Sequence, residues 1–128
     1  MKKTVVRTTL GPAAIGPYSQ AIKAGNMLFI SGQVPLEPGT GNLIKDKSIA
    51  AQTRRALQNL LGILAASGAT INNVVRTTVY LTDMKSFSDM NQVYAEFFHT
   101  CPPARSTVEL SRLPKDVGIE IDCIAVLD

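Results

Sequence analysis

Two charged side chains stand where a strand interior ordinarily excludes them. Arg105 follows Pro102-Pro103-Ala104, and Glu120 lies between Ile119 and Ile121 in an otherwise apolar run. A charge withdrawn from water is costly unless it is paired or hydrogen-bonded, so the economical reading is that both are kept for a ligand. A guanidinium is a planar fork that meets a carboxylate through two parallel charge-assisted hydrogen bonds. A carboxylate can act as general base or orienting group toward water, a role that contributes roughly 10²–10⁴ in rate. Each residue also has a structural alternative. Arg105 could be neutralised internally by Glu109 or Asp122, and Glu120 could be an exposed strand residue.

Weaker signals surround this pair. Tyr18, in Gly16-Pro17-Tyr18-Ser19, could wall a small pocket or pack beneath a loop. Gly32, in Ser31-Gly32-Gln33, interrupts an apolar strand; it marks either a bulge or a place where a ligand or another backbone comes close. Asn91 and Thr107 are polar groups near the same elements. His99 is the single histidine, which argues against a zinc site built on imidazoles and against a Ser-His-Asp hydrolase. Cys101 and Cys123 are far apart and form no metal or redox motif, so reduced thiols are expected.

The 128 residues suit one domain, 1–128, with one core. Hydrophobic content of 45% and charged content of 18% are ordinary for a globular chain. No apolar run approaches the ~18 residues that would span a bilayer. The basic start, Met1-Lys2-Lys3, lacks the apolar core of a secretory signal, so a cytoplasmic location is expected, with the mitochondrial matrix as the alternative. A net charge of +3 with scattered basic residues and no Trp is a poor footprint for nucleic acid.

Periodicity supplies the framework. Strands are expected over Thr4–Thr8, Gln20–Lys23 and Met27–Val34, the last two joined by an Ala24-Gly25-Asn26 hairpin turn. Gly11 to Ser19 reads as an ordered loop, and Pro38 to Asn42 as a turn. Ser48–Ser67 is the clearest helix, with Ile49, Ala56, Leu57, Leu60, Leu61 and Leu64 on one face and Gly68 at its C-terminal cap. Val74–Leu81 is a strand. Ser86, with Asp89 three residues on, opens a second helix in a capping-box pattern; Met90, Val93, Tyr94, Phe97 and Phe98 form its stripe, and Pro102 stops it. Ser106–Leu110 and Ile119–Val126 close the chain. The result is an α+β fold, two amphipathic helices covering one face of a mixed sheet. The other face is too apolar to be wet, which predicts contact with another subunit.

Several motifs carry a resemblance. Ala13-Ala14-Ile15-Gly16-Pro17-Tyr18-Ser19-Gln20, Ile30-Ser31-Gly32-Gln33, Pro103-Ala104-Arg105-Ser106 and Arg112-Leu113-Pro114-Lys115-Asp116 through Ile119-Glu120-Ile121 resemble the RidA (YjgF) family of imine/enamine deaminases. The match runs in order from about residue 4 to 127. It implies a chorismate-mutase-like fold, a homotrimer with clefts between subunits, and hydrolysis of 2-imino or 2-enamino acids to 2-keto acids and ammonia. It also implies that no metal and no organic cofactor is needed. Carried over by position, Arg105 grips the substrate carboxylate and Glu120 positions the attacking water. Tyr18 and Asn91 line the cleft, while Gly32 and the backbone at Thr107 touch the ligand. Many relatives carry cysteine where this chain has Thr107, which argues against a thiol role here. Two other functions stay open: an endoribonuclease or translation inhibitor, and a non-catalytic carboxylate-binding or chaperone-like trimer.

Overall fold

The computed structural model describes residues 2–128. Its elements are β1 (Lys3–Val6), β2 (Ala21–Ala24), β3 (Met27–Gln33), α1 (Ile49–Ala66), β4 (Val74–Leu81), α2 (Phe87–Phe97), β5 (Ala104–Glu109) and β6 (Ile119–Val126). The strands form one sheet in the order β1-β2-β3-β6-β4-β5. It is mixed: β5 runs parallel to β4, and every other pairing is antiparallel. The last strand in sequence is thus central, which suits its alternation of buried Ile119, Ile121, Cys123 and Ala125 with half-buried neighbours.

Helix α1 begins as its sequence prescribes. Ser48 has an extended backbone, and its hydroxyl accepts from the Ala51 amide. At the other end Gly68 takes φ +77°, and the amides of Gly68 and Ala69 donate to the carbonyls of Ala65 and Leu64. Its inner stripe, Ala56, Leu57, Leu60, Ile63 and Leu64, packs on β3 and the buried side of β6, in one cluster with Leu28 and Ile30 of β3 and Val79 and Leu81 of β4. Fully burying each such large aliphatic side chain contributes about 1.5–3 kcal/mol. Met90, Val93 and Tyr94 of α2 join the same layer.

The second helix opens differently from expectation. Ser86 has helical dihedrals (φ −78°, ψ −2°) and makes no side-chain capping bond. It closes a 3₁₀ turn, Met84–Ser86, which Asp83 caps by accepting from the Lys85 amide. The capping box therefore does not form, because the hydroxyl that would accept already lies inside a turn. Nor does Pro102 stop the helix, which ends at Phe97. Strand β1 ends at Val6 rather than Thr8, since the Gln20 side chain occupies the Thr8 backbone at both its amide and its carbonyl.

The helix-free face carries a row that crosses four strands: Val5 opposite Ile22, Ile22 opposite Phe29, Phe29 opposite Ile124. Val5 and Phe29 remain 44% and 41% exposed, a contiguous apolar surface of the kind that marks an interaction site. No helix is long and apolar enough to cross a membrane among the described residues.

Candidate functional site

Arg105 lies within β5, where its cross-strand partner on β4 is Thr77. The sequence places the start of this strand at Ser106, two residues later than observed; pairing with β4 begins at Ala104, as soon as Pro103 is passed. Thr77 is fully buried beneath α2, and paired residues of neighbouring strands share a face, so Arg105 points to the helix side. Its guanidinium carbon sits 4.7 Å from the Tyr94 ring centroid and 5.5 Å from that of Phe87, within range of cation–π attraction.

Neither acidic residue considered as an internal partner reaches it. Glu109 accepts from the Met84 amide at 2.8 Å, and Asp122 from the Tyr80 hydroxyl at 2.9 Å. Arg112 makes the contrast plain: its fork is filled by both oxygens of Asp116 at 2.6 and 3.1 Å. Arg105 has no carboxylate within 4.0 Å among the described residues. Its planar edge is free to receive one.

Thr107, two residues further along β5, shares that face and is half-buried. Asn91 lies on α2 one turn after Phe87 and one turn before Tyr94, so the three share a helical stripe. Arg105, Thr107 and Asn91 thus belong to one neighbourhood, with Phe87 and Tyr94.

Glu120 belongs to another. Ile119 and Ile121 point into the core, so Glu120 projects from the opposite, helix-free face. Burial pushes its carboxyl above the ordinary value, and the like charge of Asp122 adds to the rise. The carboxylate lies against the β3 backbone at Gly32: a Cβ there would meet Glu120 Oε2 at 2.3 Å. The β3–β6 register shifts between Ile30 and Gln33, so the bulge reading of Gly32 holds, and what comes close there within the chain is the Glu120 side chain rather than another backbone.

Tyr18 completes this second neighbourhood. It shares with Gly32 a small pocket of ≈ 40 Å³ that Pro12, Ala13 and Gln20 also line. It also lines a larger open crevice of ≈ 710 Å³ bounded by Arg7, Ala14 and Ser19. The ring is 53% exposed, and its hydroxyl accepts from the Ile15 amide at 3.3 Å. The loop that carries it is held from within. Gln20, 5% exposed, donates to the carbonyls of Thr8, Gly11 and Pro12 and accepts from the Thr8 amide. Helix α1 lies so close that a Cβ on Gly62 would meet the Leu10 carbonyl oxygen at 2.2 Å.

The candidate residues of one chain therefore fall into two candidate half-sites, {Arg105, Thr107, Asn91} and {Tyr18, Gly32, Glu120}, with Arg105 and Glu120 on opposite faces of the sheet. Sequence reasoning missed Phe87 and Gln20, and it took Tyr94 only as part of a buried stripe. A lone aromatic at the start of α2 and a glutamine beside a strand carry no sequence signal of their roles. Among the described residues no three His, Cys, Asp or Glu side chains cluster as metal ligands. Cys123 is buried, its thiol pushed up to about 12 by burial and then by Asp122, so it stays protonated.

Residues 8–127 match the family described as Endoribonuclease L-PSP. A RutC family protein of Pyrococcus horikoshii is 56% identical over 123 residues, covering 96% of this chain and 97% of that protein. Reactive Intermediate Deaminase A, chloroplastic, of Arabidopsis thaliana is 48% identical over 127 residues, covering 99% and 67%. The crystal structure of E. coli TdcF with bound serine superposes with a TM-score of 0.92 at 40% identity, covering 98% of this chain and 99% of that one. The chain belongs to this family, the YjgF/RutC/Rid family, as its motifs anticipated.

Proposed function

We propose that the chain is a hydrolytic deaminase that converts 2-imino and 2-enamino acids, such as 2-iminobutanoate and 2-aminoacrylate, to 2-keto acids and ammonia. A RidA-type deamination of reactive intermediates is supported at the level of the family. The observation that carries the reading for this chain is Arg105, a half-buried cation backed by aromatic rings and left without a counter-charge. The serine bound to TdcF, an amino acid with a carboxylate, is consistent with such a grip in a relative.

The arrangement requires a second copy. Arg105 and Glu120 leave opposite faces of one sheet, two strands apart, so a substrate of few atoms touches both only across an interface. A homotrimer in which the helix-free face of one chain, with its Val5–Ile22–Phe29–Ile124 row, meets the β5 edge of the next would set that edge's Arg105 beside Glu120, Tyr18 and Gly32.

In this scheme Arg105 receives the substrate carboxylate edge-on. An enamine gains a proton at carbon and becomes the iminium, whose carbon is already electrophilic. Water adds there: the new C–O bond forms as the C=N electron pair moves to nitrogen, and Glu120 accepts the water proton. Glu120 returns that proton to the nitrogen of the tetrahedral adduct; the C–N bond then breaks to release ammonia as the oxygen lone pair forms C=O, and the hydroxyl proton passes to solvent to give the keto acid. Tyr18 and Asn91 bound the cleft, while Gly32 and the Thr107 backbone contact the substrate. Orientation and one water-positioning group suffice for so reactive a substrate.

The test couples a serine or threonine dehydratase, which generates the imine, to ammonia release. Catalytic amounts of this protein should accelerate release, and Arg105→Ala should abolish the acceleration. Equal rates in wild type and Arg105→Ala would reject the grip. The family's description names a ribonuclease, which motivates a second reading. The lone imidazole, His99, is exposed and pairs with the Thr100 hydroxyl, so RNA cleavage would have to depend on Arg105. Salt-sensitive RNA cleavage lost in Arg105→Ala is the result that would favour it.

A further inference from the structure

We propose that Tyr94 is the positioning residue of this site: its ring face, with that of Phe87, fixes the plane of the Arg105 guanidinium, and its hydroxyl bond to Thr77 fixes the ring. The inference rests on the deaminase reading for its meaning, but its geometry stands independently.

Three contacts form a closed circuit, and a fourth supports it. Arg105 is the cross-strand neighbour of Thr77. Thr77 Oγ1 and the Tyr94 hydroxyl lie 2.7 Å apart in a buried hydrogen bond. The Tyr94 ring lies 4.7 Å from the Arg105 guanidinium carbon. Phe98 packs behind that ring, with centroids 4.6 Å apart and planes tilted by 37°. The backbone that carries the arginine and the ring that receives it are therefore tied to one threonine, so the guanidinium has a fixed seat at the sheet edge.

A seat of this kind decides how the cation can be approached. The guanidinium carbon lies over the Tyr94 and Phe87 rings at 4.7 and 5.5 Å; in the seat proposed here the rings cover the face of the fork and leave in-plane N–H groups for a ligand. A flat carboxylate entering in that plane makes two parallel bonds, whereas a ligand arriving over the face finds it occupied. Less rotamer freedom is then lost on binding, because the side chain is held in advance. Burial raises the Tyr94 phenol above its ordinary value, against the opposing pulls of the Thr77 bond and the Arg105 charge, so the ring stays neutral.

The test uses Tyr94→Phe, Tyr94→Leu and Phe87→Leu in the intact assembly. Three quantities are read: KM and kcat for ammonia release from 2-iminobutanoate, calorimetric Kd for the unreactive product 2-oxobutanoate, and the NMR shift of the Arg105 Nε–H proton. The Leu variant at 94 should raise KM and Kd about tenfold, the scale of a partly desolvated cation–π contact, with a smaller change in kcat. The Phe variant, which keeps the ring, should stay within about threefold of wild type. In wild type the Nε–H proton should show a ring-current shift that Tyr94→Leu removes.

Unchanged Kd in folded Tyr94→Leu overturns the proposal, as does a loss in Tyr94→Phe equal to that in Tyr94→Leu. If Tyr94→Leu does not fold, absence of the ring-current shift in wild type, or an unaltered Kd in Phe87→Leu, does the same. Failure of the deaminase reading looks different: no ammonia is released by wild type, while the Kd and NMR arms still report on the seat.

Discussion

The two half-sites solve opposite problems. Around Arg105 the chain removes every competitor: aromatic rings back the cation, nearby acids are bonded elsewhere, and no carboxylate comes within reach among the described residues. Around Glu120 it does the reverse, crowding the carboxylate against a glycine backbone and beside Asp122 so that it holds its proton more tightly. The first is a cation without a counter-charge, the second a carboxyl raised above its ordinary value. Because they face apart, the deaminase proposed above needs one half from each of two chains.

The largest effect should come from Arg105→Lys. It keeps the charge but loses the fork, and kcat/KM should fall about a hundredfold. Near-normal rates would mean that simple attraction is enough, and the planar seat would lose its purpose. Next comes complementation between chains. Arg105→Ala and Glu120→Ala proteins, each inactive, should regain activity when unfolded together and reassembled. In a random equal mixture half the clefts draw an intact arginine and half of those an intact glutamate, so about a quarter of wild-type activity should return. No recovery would place both residues in one chain's site or in none.

A smaller effect is expected at Gly32. A methyl there collides with the Glu120 carboxylate, the mobile end of a side chain, so Gly32→Ala should displace the base with little loss of stability. A fall of about tenfold in kcat with an unchanged melting temperature is the expected pattern; a large thermal loss with normal kcat would assign the glycine to the bulge alone. The smallest effect concerns pH. In the proposed reaction Glu120 works ionised, so its raised pKa moves the acid limb of the rate profile upward from that of an ordinary glutamate. Asp122→Asn removes the like charge and should move that limb to lower pH. The sign for stability is opposite: a carboxylate raised by folding favours the native state at low pH and loses that contribution as pH rises through its folded value. Urea titrations of Glu120→Gln should therefore show a flatter dependence across the same window.

Much of the framework was legible because periodicity reports burial. The bounds of β4 and β6 are as read from sequence, α1 differs by one residue at each end, and the side of β6 that bears Glu120 follows from alternation alone. Local signals misled at α2, where a serine with an acid three residues on imitates a capping box but sits inside a preceding turn. The types of the site residues were visible too, since an arginine and a glutamate among apolar neighbours stand out. Their separation was not. It depends on β6 running centrally between β3 and β4 and on β5 joining the edge in parallel, facts of long-range pairing. The aromatic seat was hidden for the same reason, because Tyr94 and Arg105 meet only once helix and strand are packed.

The missing side chain at Gly62 reaches further than its place on α1 suggests. With the Leu10 oxygen filling the space where a methyl would stand, even an alanine would act as a wedge under the segment that leads to Tyr18. Such a lesion would touch no ligand, yet it would pry one wall of the proposed cleft away from its neighbour and masquerade as weakened recognition.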